Sequence, residues 1–206
     1  MHLCVFVMKV VSASEENVKK AAEIVLAGGV VILPTDSVYG IFCDALNRKA
    51  VRRVREIKGR EGDKPLQVAV RKQDAGRYAI VNEVAQRIIE SFWPGDVNII
   101  VDKKDIIPDY ISRFTVSLTC HANPVAAKVA ELTRKPLVST SANFAGEKAP
   151  IRADEISHKL VDMVDLVLDG GPSKNREANT IIDTTTQPPK IIRSGSVSSK
   201  RLEPFY

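Results

Sequence analysis

Gly28-Gly29-Val30-Val31-Ile32-Leu33-Pro34-Thr35-Asp36-Ser37-Val38-Tyr39-Gly40 is the stretch that decides the fold class. Its two glycines end an amphipathic helix, whose start is predicted at the capping-box pattern Ser12-Ala13-Ser14-Glu15. Val30 to Leu33 reads as a buried strand closed by Pro34. A polar turn, Thr35-Asp36-Ser37, leads into a second apolar stretch from Gly40 to Leu46. Helix, strand, turn and strand in direct succession predict an α/β chain.

Working outward, the alternation persists. Asn47 is placed to cap a basic helix whose Val51, Val54 and Ile57 share one face. Leu66 to Val70 reads as a strand, Glu83 to Phe92 as a helix stopped by Pro94-Gly95, and Val97 to Val101 as a strand. Then come strand Thr115 to Thr119, helix Pro124 to Arg134 and strand Leu137 to Thr140. Helix Arg152 to Met163 precedes strands Leu166 to Leu168, Thr180 to Asp183 and Lys190 to Arg193. No internal repeat and no Pro- or Ser-rich linker interrupts the pattern. The expectation is one domain over residues 1–206, a twisted mixed β-sheet flanked by helices.

Composition agrees. A chain of 206 residues with 44% hydrophobic and 27% charged content can bury a core without staples. The longest uncharged apolar stretch, Ile24 to Leu33, is broken by two glycines and is too short to span a bilayer. Met1 to Val11 lacks a basic leader and carries Lys9, so it reads as a first strand and not a secretion signal. Cys4, Cys43 and Cys120 have no Cys-x-x-Cys spacing, which argues against a disulfide framework or zinc site and predicts a reducing, cytoplasmic setting. Cys120 and His121 are adjacent, and neighbours on a strand point to opposite faces, which is poor geometry for a nucleophile and its base. No two histidines have the spacing of helical metal ligands.

The net charge of +5 is localised. Arg48, Lys49, Arg52, Arg53, Arg55, Lys58 and Arg60 face only Glu56, so this segment carries +6 and the rest of the chain about −1. Such a patch reads either as a solvated helix face or as a site for phosphates or RNA. Neither the P-loop nor the Gly-x-Gly-x-x-Gly fingerprint is present. Instead there are polar turns at element ends: 34–40, Lys58-Gly59-Arg60, Ser139-Thr140-Ser141-Ala142-Asn143, Asp169-Gly170-Gly171, Asn179-Thr180 and Arg193-Ser194-Gly195. Ligands of α/β sheets bind at strand ends, so these turns with clustered cations predict an anion pocket lined by hydroxyls and amides.

In order and spacing, the 28–40 stretch, Lys58-Gly59-Arg60, Lys64-Pro65-Leu66, Phe92-Trp93-Pro94-Gly95, 139–143, 169–171 and 193–195 closely resemble the YrdC-like family. The resemblance covers roughly residues 12–197. It implies a concave, positively charged cleft and the synthesis of threonylcarbamoyl-adenylate for a tRNA modification. L-Threonine and bicarbonate give an N-carboxy-threonine, whose carboxylate attacks the α-phosphate of ATP and releases pyrophosphate. A reaction between anions needs cations and oriented donors more than a covalent nucleophile.

By the same resemblance, Lys58 and Arg60 hold carboxylate and phosphate oxygens as catalytic cations. Thr35 sits beside the amino acid and Tyr39 walls its pocket. Thr119 and Asn179 complete the substrate site. Ser139, Ser141 and Asn143, with Lys64 and Arg193, hold the nucleotide. The expected metal is Mg²⁺ arriving with ATP, with no metal site of the protein's own. Double-stranded RNA on the helix 48–60 and other tRNA-modification enzymes are the implied partners, and a membrane is not.

The departures cluster in the substrate pocket. Thr119 stands where the family pattern Val-x-Val-Arg-x-Pro has Arg. Pro94-Gly95-Asp96-Val97-Asn98 replaces Pro-Gly-Pro-x-Thr, and Asn179-Thr180 replaces a Ser-Thr pair. Lys64 and Ala69 stand where many members have Asn and His. Three readings stay open: a diverged synthase, a non-catalytic RNA- or nucleotide-binding module on the same fold, and an activity on another amino acid. Only 11 aromatic residues, none clustered near the basic helix, argue against base stacking.

Overall fold

The computed structural model describes residues 9–59, 64–175 and 177–205. In chain order its strands and helices are β1 (Val10–Ser12), α1 (Glu15–Leu26), β2 (Val31–Leu33), β3 (Gly40–Asp44), α2 (Arg48–Ile57), β4 (Val68–Ala69), α3 (Ala75–Tyr78), β5 (Ala79–Ile80), α4 (Glu83–Phe92), β6 (Gly95–Lys103), β7 (Thr115–Cys120), α5 (Pro124–Thr133), β8 (Leu137–Ser141), α6 (His158–Met163), β9 (Leu166–Asp169), β10 (Thr180–Asp183), β11 (Lys190–Arg193) and α7 (Ser199–Leu202). One sheet joins all the strands in the order β1-β9-β2-β3-β8-β4-β7-β6-β10-β11, with β5 against β6. Parallel and antiparallel pairs alternate irregularly along it, as in β2 parallel to β9 but antiparallel to β3. The expected α/β architecture, a large mixed sheet flanked by helices, is the one observed.

Local chemistry explains most boundaries. Asn47 Oδ1 accepts the amides of Lys49 and Ala50 at the start of α2, as its position predicts. The cap of α1 is Ser14 and not Ser12: Ser14 Oγ accepts from the Asn17 amide, while Ser12 is still paired in β1. The predicted helix 152–163 is shorter, a 3-10 turn at Ala153–Glu155 followed by α6, because the chain is extended at Ile156. The strand expected over 66–70 contracts to Val68–Ala69. The Val70 amide still donates to the Thr119 carbonyl of β7 and the Gln67 carbonyl accepts from the Ser139 amide of β8, while the Leu66 amide turns to the Ile111 carbonyl of a loop.

Both faces of the central strands are covered. In β2, Ile32 joins a core cluster with α2 and α4, while Val31 and Leu33 point into a second cluster under α1 and α5. A strand buried on both sides is therefore continuously apolar, which is how Val30 to Leu33 reads. Towards β4, β7, β6 and β10, helices no longer cover the second face. Alternation with Ala69 and Leu137 puts Gln67, Asn98, Ser117 and Ser139 on it.

Candidate active site

That uncovered face is the floor of a cleft of about 440 Å³. Asn98 on β6 links its neighbours by amide hydrogen bonds: its Nδ2 donates to Gln67 Oε1 at 2.6 Å, and its Oδ1 accepts from Asn179 Nδ2 at 2.9 Å. Asn179 Oδ1 is buried without a partner. The walls come from Thr35, Ser37 and Ser141, with Lys64 and Arg193 at the exposed edges. The cleft thus offers hydroxyl and amide donors below and cations at its rim.

Lys58 is 1% exposed at the end of α2. Its ammonium donates to the carbonyl oxygens of Ser141 and Asn143, to Asn143 Oδ1 at 2.9 Å and to Ser141 Oγ. Ser141 Oγ donates in turn to Asn143 Oδ1, and Asn143 Nδ2 donates to the Glu147 carbonyl. A buried ammonium needs such a shell of oxygens. Lys58, Ser141 and Asn143, widely spaced in sequence, therefore form one cluster that shapes the cleft wall. Arg60, expected beside Lys58, lies outside the described residues.

Other expected residues take different places. Thr35 lines the cleft, but its hydroxyl closes its own turn by donating to the Val38 carbonyl at 2.6 Å. Tyr39 is fully buried and does not wall the cleft. Its hydroxyl donates to the Gly171 carbonyl at 2.7 Å, and burial pushes the phenol up to about 12, so it stays a neutral donor. Arg193 Nε and Nη2 both donate to the Asn179 carbonyl, joining β11 to the cleft floor. Thr119, expected against the substrate, is fully buried and does not line the cleft. It lies between Ser117 and His121, opposite Ala69 in the ladder, and its hydroxyl has no partner.

Sequence reasoning passed over His121 except as a neighbour of Cys120. The structure gives it a central position. Leu118 and Cys120 face the first core cluster, whereas His121 lines the cleft. His121 Nε2 is 3.0 Å from Ser139 Oγ, and Nδ1 is 3.5 Å from Asp36 Oδ2. Asp36 Oδ2 also accepts the Ala122 amide at 2.9 Å. Burial pushes the Asp36 carboxyl up, but His121 and the surrounding amides outweigh it and leave it below the usual range. Asp96 moves the other way, raised by its burial and by the charge of Asp36. Burial also raises the Cys120 thiol, which argues against a reactive thiolate.

Part of the basic helix is committed to the fold, while Arg48, Lys49 and Arg52 stay exposed. Arg53 pairs with Asp165 and donates to the Met163 carbonyl, Arg55 donates to the carbonyls of Lys64 and Tyr110, and Arg52 pairs with Glu56. Among the described residues no cluster of three or more His, Cys, Asp and Glu is positioned to hold a metal, and no helix is long and apolar enough to cross a membrane.

Residues 23–195 match the family model for Sua5, YciO and YrdC, whose description reads "Telomere recombination". The chain belongs to the Sua5/YciO/YrdC family. Relatives carry the name threonylcarbamoyl-AMP synthase. A Pyrococcus abyssi protein of that name is 31% identical over 92% of this chain and 57% of its own length. A Methanocaldococcus jannaschii protein given the name provisionally is 38% identical over 95% of this chain and 96% of its own. This chain therefore spans little more than half of some relatives and nearly all of others. In structure it is similar to P. abyssi Sua5 complexed with L-threonine, with TM-score 0.89 and 28% identity over 95% of this chain and 59% of that one. Escherichia coli YciO superposes with TM-score 0.83 and 27% identity, covering 92% of this chain and 94% of the other.

Proposed function

We propose that this family member is a threonylcarbamoyl-AMP synthase, a nucleotidyltransferase that joins L-threonine, bicarbonate and ATP and releases pyrophosphate. The observation that carries the reading is the Lys58–Ser141–Asn143 cluster beside the amide-lined cleft. It fixes the cleft wall where a carboxylate must approach a polyphosphate, with the cations Lys64 and Arg193 at the rim. In this reading Arg60 neutralises the reacting oxygens, while Lys58, expected to do the same, is spent on protein oxygens and acts by holding Ser141 and Asn143 in place. Lys64, Ser139, Ser141, Asn143 and Arg193 hold the nucleotide. Thr35 and Asn179 bound the amino-acid site, while Tyr39 and Thr119 support it from beneath. Mg²⁺ enters as part of the nucleotide substrate, bound mainly by phosphate and water.

The setting proposed is the cytoplasm, with the product passed to tRNA-modifying enzymes and residues 1–206 acting as one domain. RNA binding on α2 is the weaker reading, since Arg53 and Arg55 are tied to other segments of the fold. Pyrophosphate release that requires both threonine and bicarbonate is the expected result. ATP binding without turnover under any amino acid would instead favour the non-catalytic module.

A further inference from the structure

The proposed reaction has a proton to dispose of. Threonine enters as its ammonium, and condensation with bicarbonate gives the N-carboxy anion, one water and one proton. The ammonium must lose that proton before its nitrogen lone pair can attack. The N–C bond then forms, a C–O bond of bicarbonate breaks, and the departing oxygen takes the second N–H proton as water. Among the described titratable residues lining the cleft are Lys64, Arg193 and His121. An ammonium and a guanidinium carry all their protons at neutral pH, whereas a neutral imidazole offers a lone pair.

We propose that His121, oriented by Asp36, is the base that accepts this proton on Nε2; the proposal rests on the synthase reading above. Asp36 Oδ2 is 3.5 Å from Nδ1 and is itself fixed by the Ala122 amide. Nδ1 makes no hydrogen bond, but the negative charge of Asp36 beside it favours the tautomer protonated on Nδ1, which leaves Nε2 as the acceptor. Nε2 faces Ser139 Oγ at 3.0 Å, and both residues line the cleft. The ring is held edge-on by Phe42, with centroids 5.6 Å apart. This carboxylate–imidazole–hydroxyl order is the arrangement by which a base is oriented for proton transfer.

The groups that bear on His121 are Asp36 from the turn before β3, Asp96 at the start of β6 and Ser139 on β8, with Lys174 acting on Asp96. Asp36 acts on His121 through its charge at 3.5 Å, so it is a positioning residue with its own signature. The test measures pyrophosphate release by the full chain at saturating ATP, over threonine and bicarbonate titrations from about pH 6.5 to 9. Wild type, His121→Gln and Asp36→Asn are compared, with ATP affinity measured by calorimetry.

His121→Gln is expected to lower kcat/KM for threonine roughly 100-fold near pH 7. The deficit should shrink as the pH rises and solution deprotonates the amine, and ATP affinity should change by less than about twofold. Asp36→Asn should give a smaller loss and a displaced pH profile. If His121→Gln follows the wild type at every pH, the base assignment fails and the synthase reading stands. A parallel loss of ATP affinity would make His121 structural and overturn the assignment. No pyrophosphate from wild type would overturn both.

Discussion

At the scale of single residues, the cleft is set by how buried polar groups find partners. Lys58 is the clearest case, because its charge is buried and its partners are two residues at the cleft wall. Lys58→Met keeps the volume and strips the charge-assisted hydrogen bonds. The expected cost is about 2–3 kcal/mol, with ATP affinity reduced, and thermal unfolding beside calorimetry measures both. Thr119 is the opposite case. Its hydroxyl is buried and unsatisfied, so the isosteric Thr119→Val should be neutral or stabilise by up to about 1 kcal/mol. A fall in midpoint temperature would show that the hydroxyl has a partner the geometry does not reveal. The valine variant should leave pyrophosphate release close to wild type, because position 119 does not line the cleft.

At the scale of elements, the cleft exists because strands run past the helices that cover their neighbours. β10 and β11 form the far wall, and their junction depends on a close backbone approach at Gly195. A Cβ there would run into the Ala178 carbonyl oxygen and lie 2.8 Å from the Asn179 carbonyl carbon. These are backbone atoms of the segment that Arg193 ties down. Gly195→Ala must therefore displace Asn179 from the cleft floor. It is expected to destabilise by about 3 kcal/mol and to weaken substrate binding beyond what the loss of stability explains. Binding measured well below the unfolding temperature separates the two effects. α2 contributes at this scale too: its Asn47 cap fixes the start, and the helix length delivers Lys58 beneath the Ser141–Asn143 turn.

At the scale of the molecule, Asp165 holds three elements together: its carboxylate accepts from Arg53 on α2 and from the Val30 amide, and it immediately precedes β9. Burial pushes this carboxyl up, but Arg53 and the amide leave it below the usual range. A folded-state value below the unfolded one contributes stability above about pH 4, near the unfolded carboxyl value, and that contribution disappears as the pH falls through the folded value. Asp165→Asn should cost about 1 kcal/mol at neutral pH, a modest figure because the pair is partly exposed. The variant should also show a shallower loss of stability on acidification, and denaturant midpoints compared at neutral and acid pH check the sign. An equal acid dependence in both proteins would remove Asp165 from the pH response.

The sequence by itself determined the order and type of most elements. Val30 to Leu33 is apolar on both faces, Asn47 is a cap, and Pro94-Gly95 ends a helix, all through interactions within a few residues. It also singled out Lys58, Ser139, Ser141, Asn143 and Arg193, with turns expected there because Ser, Asn and Gly mark turns locally. Ser139 and Ser141 are instead paired inside β8, and Arg193 ends β11. What those side chains face was decided only by the tertiary structure. Thr119 and Tyr39 are buried and Lys58 is spent on protein oxygens, since burial depends on which distant strand lies alongside. His121 gave no signal in the chain: its partners Asp36 and Ser139 lie on other strands and turns, and only sheet order β3-β8-β4-β7 brings them to one cleft. Periodicity records which face a residue takes, while a site depends on neighbours that sequence distance does not encode.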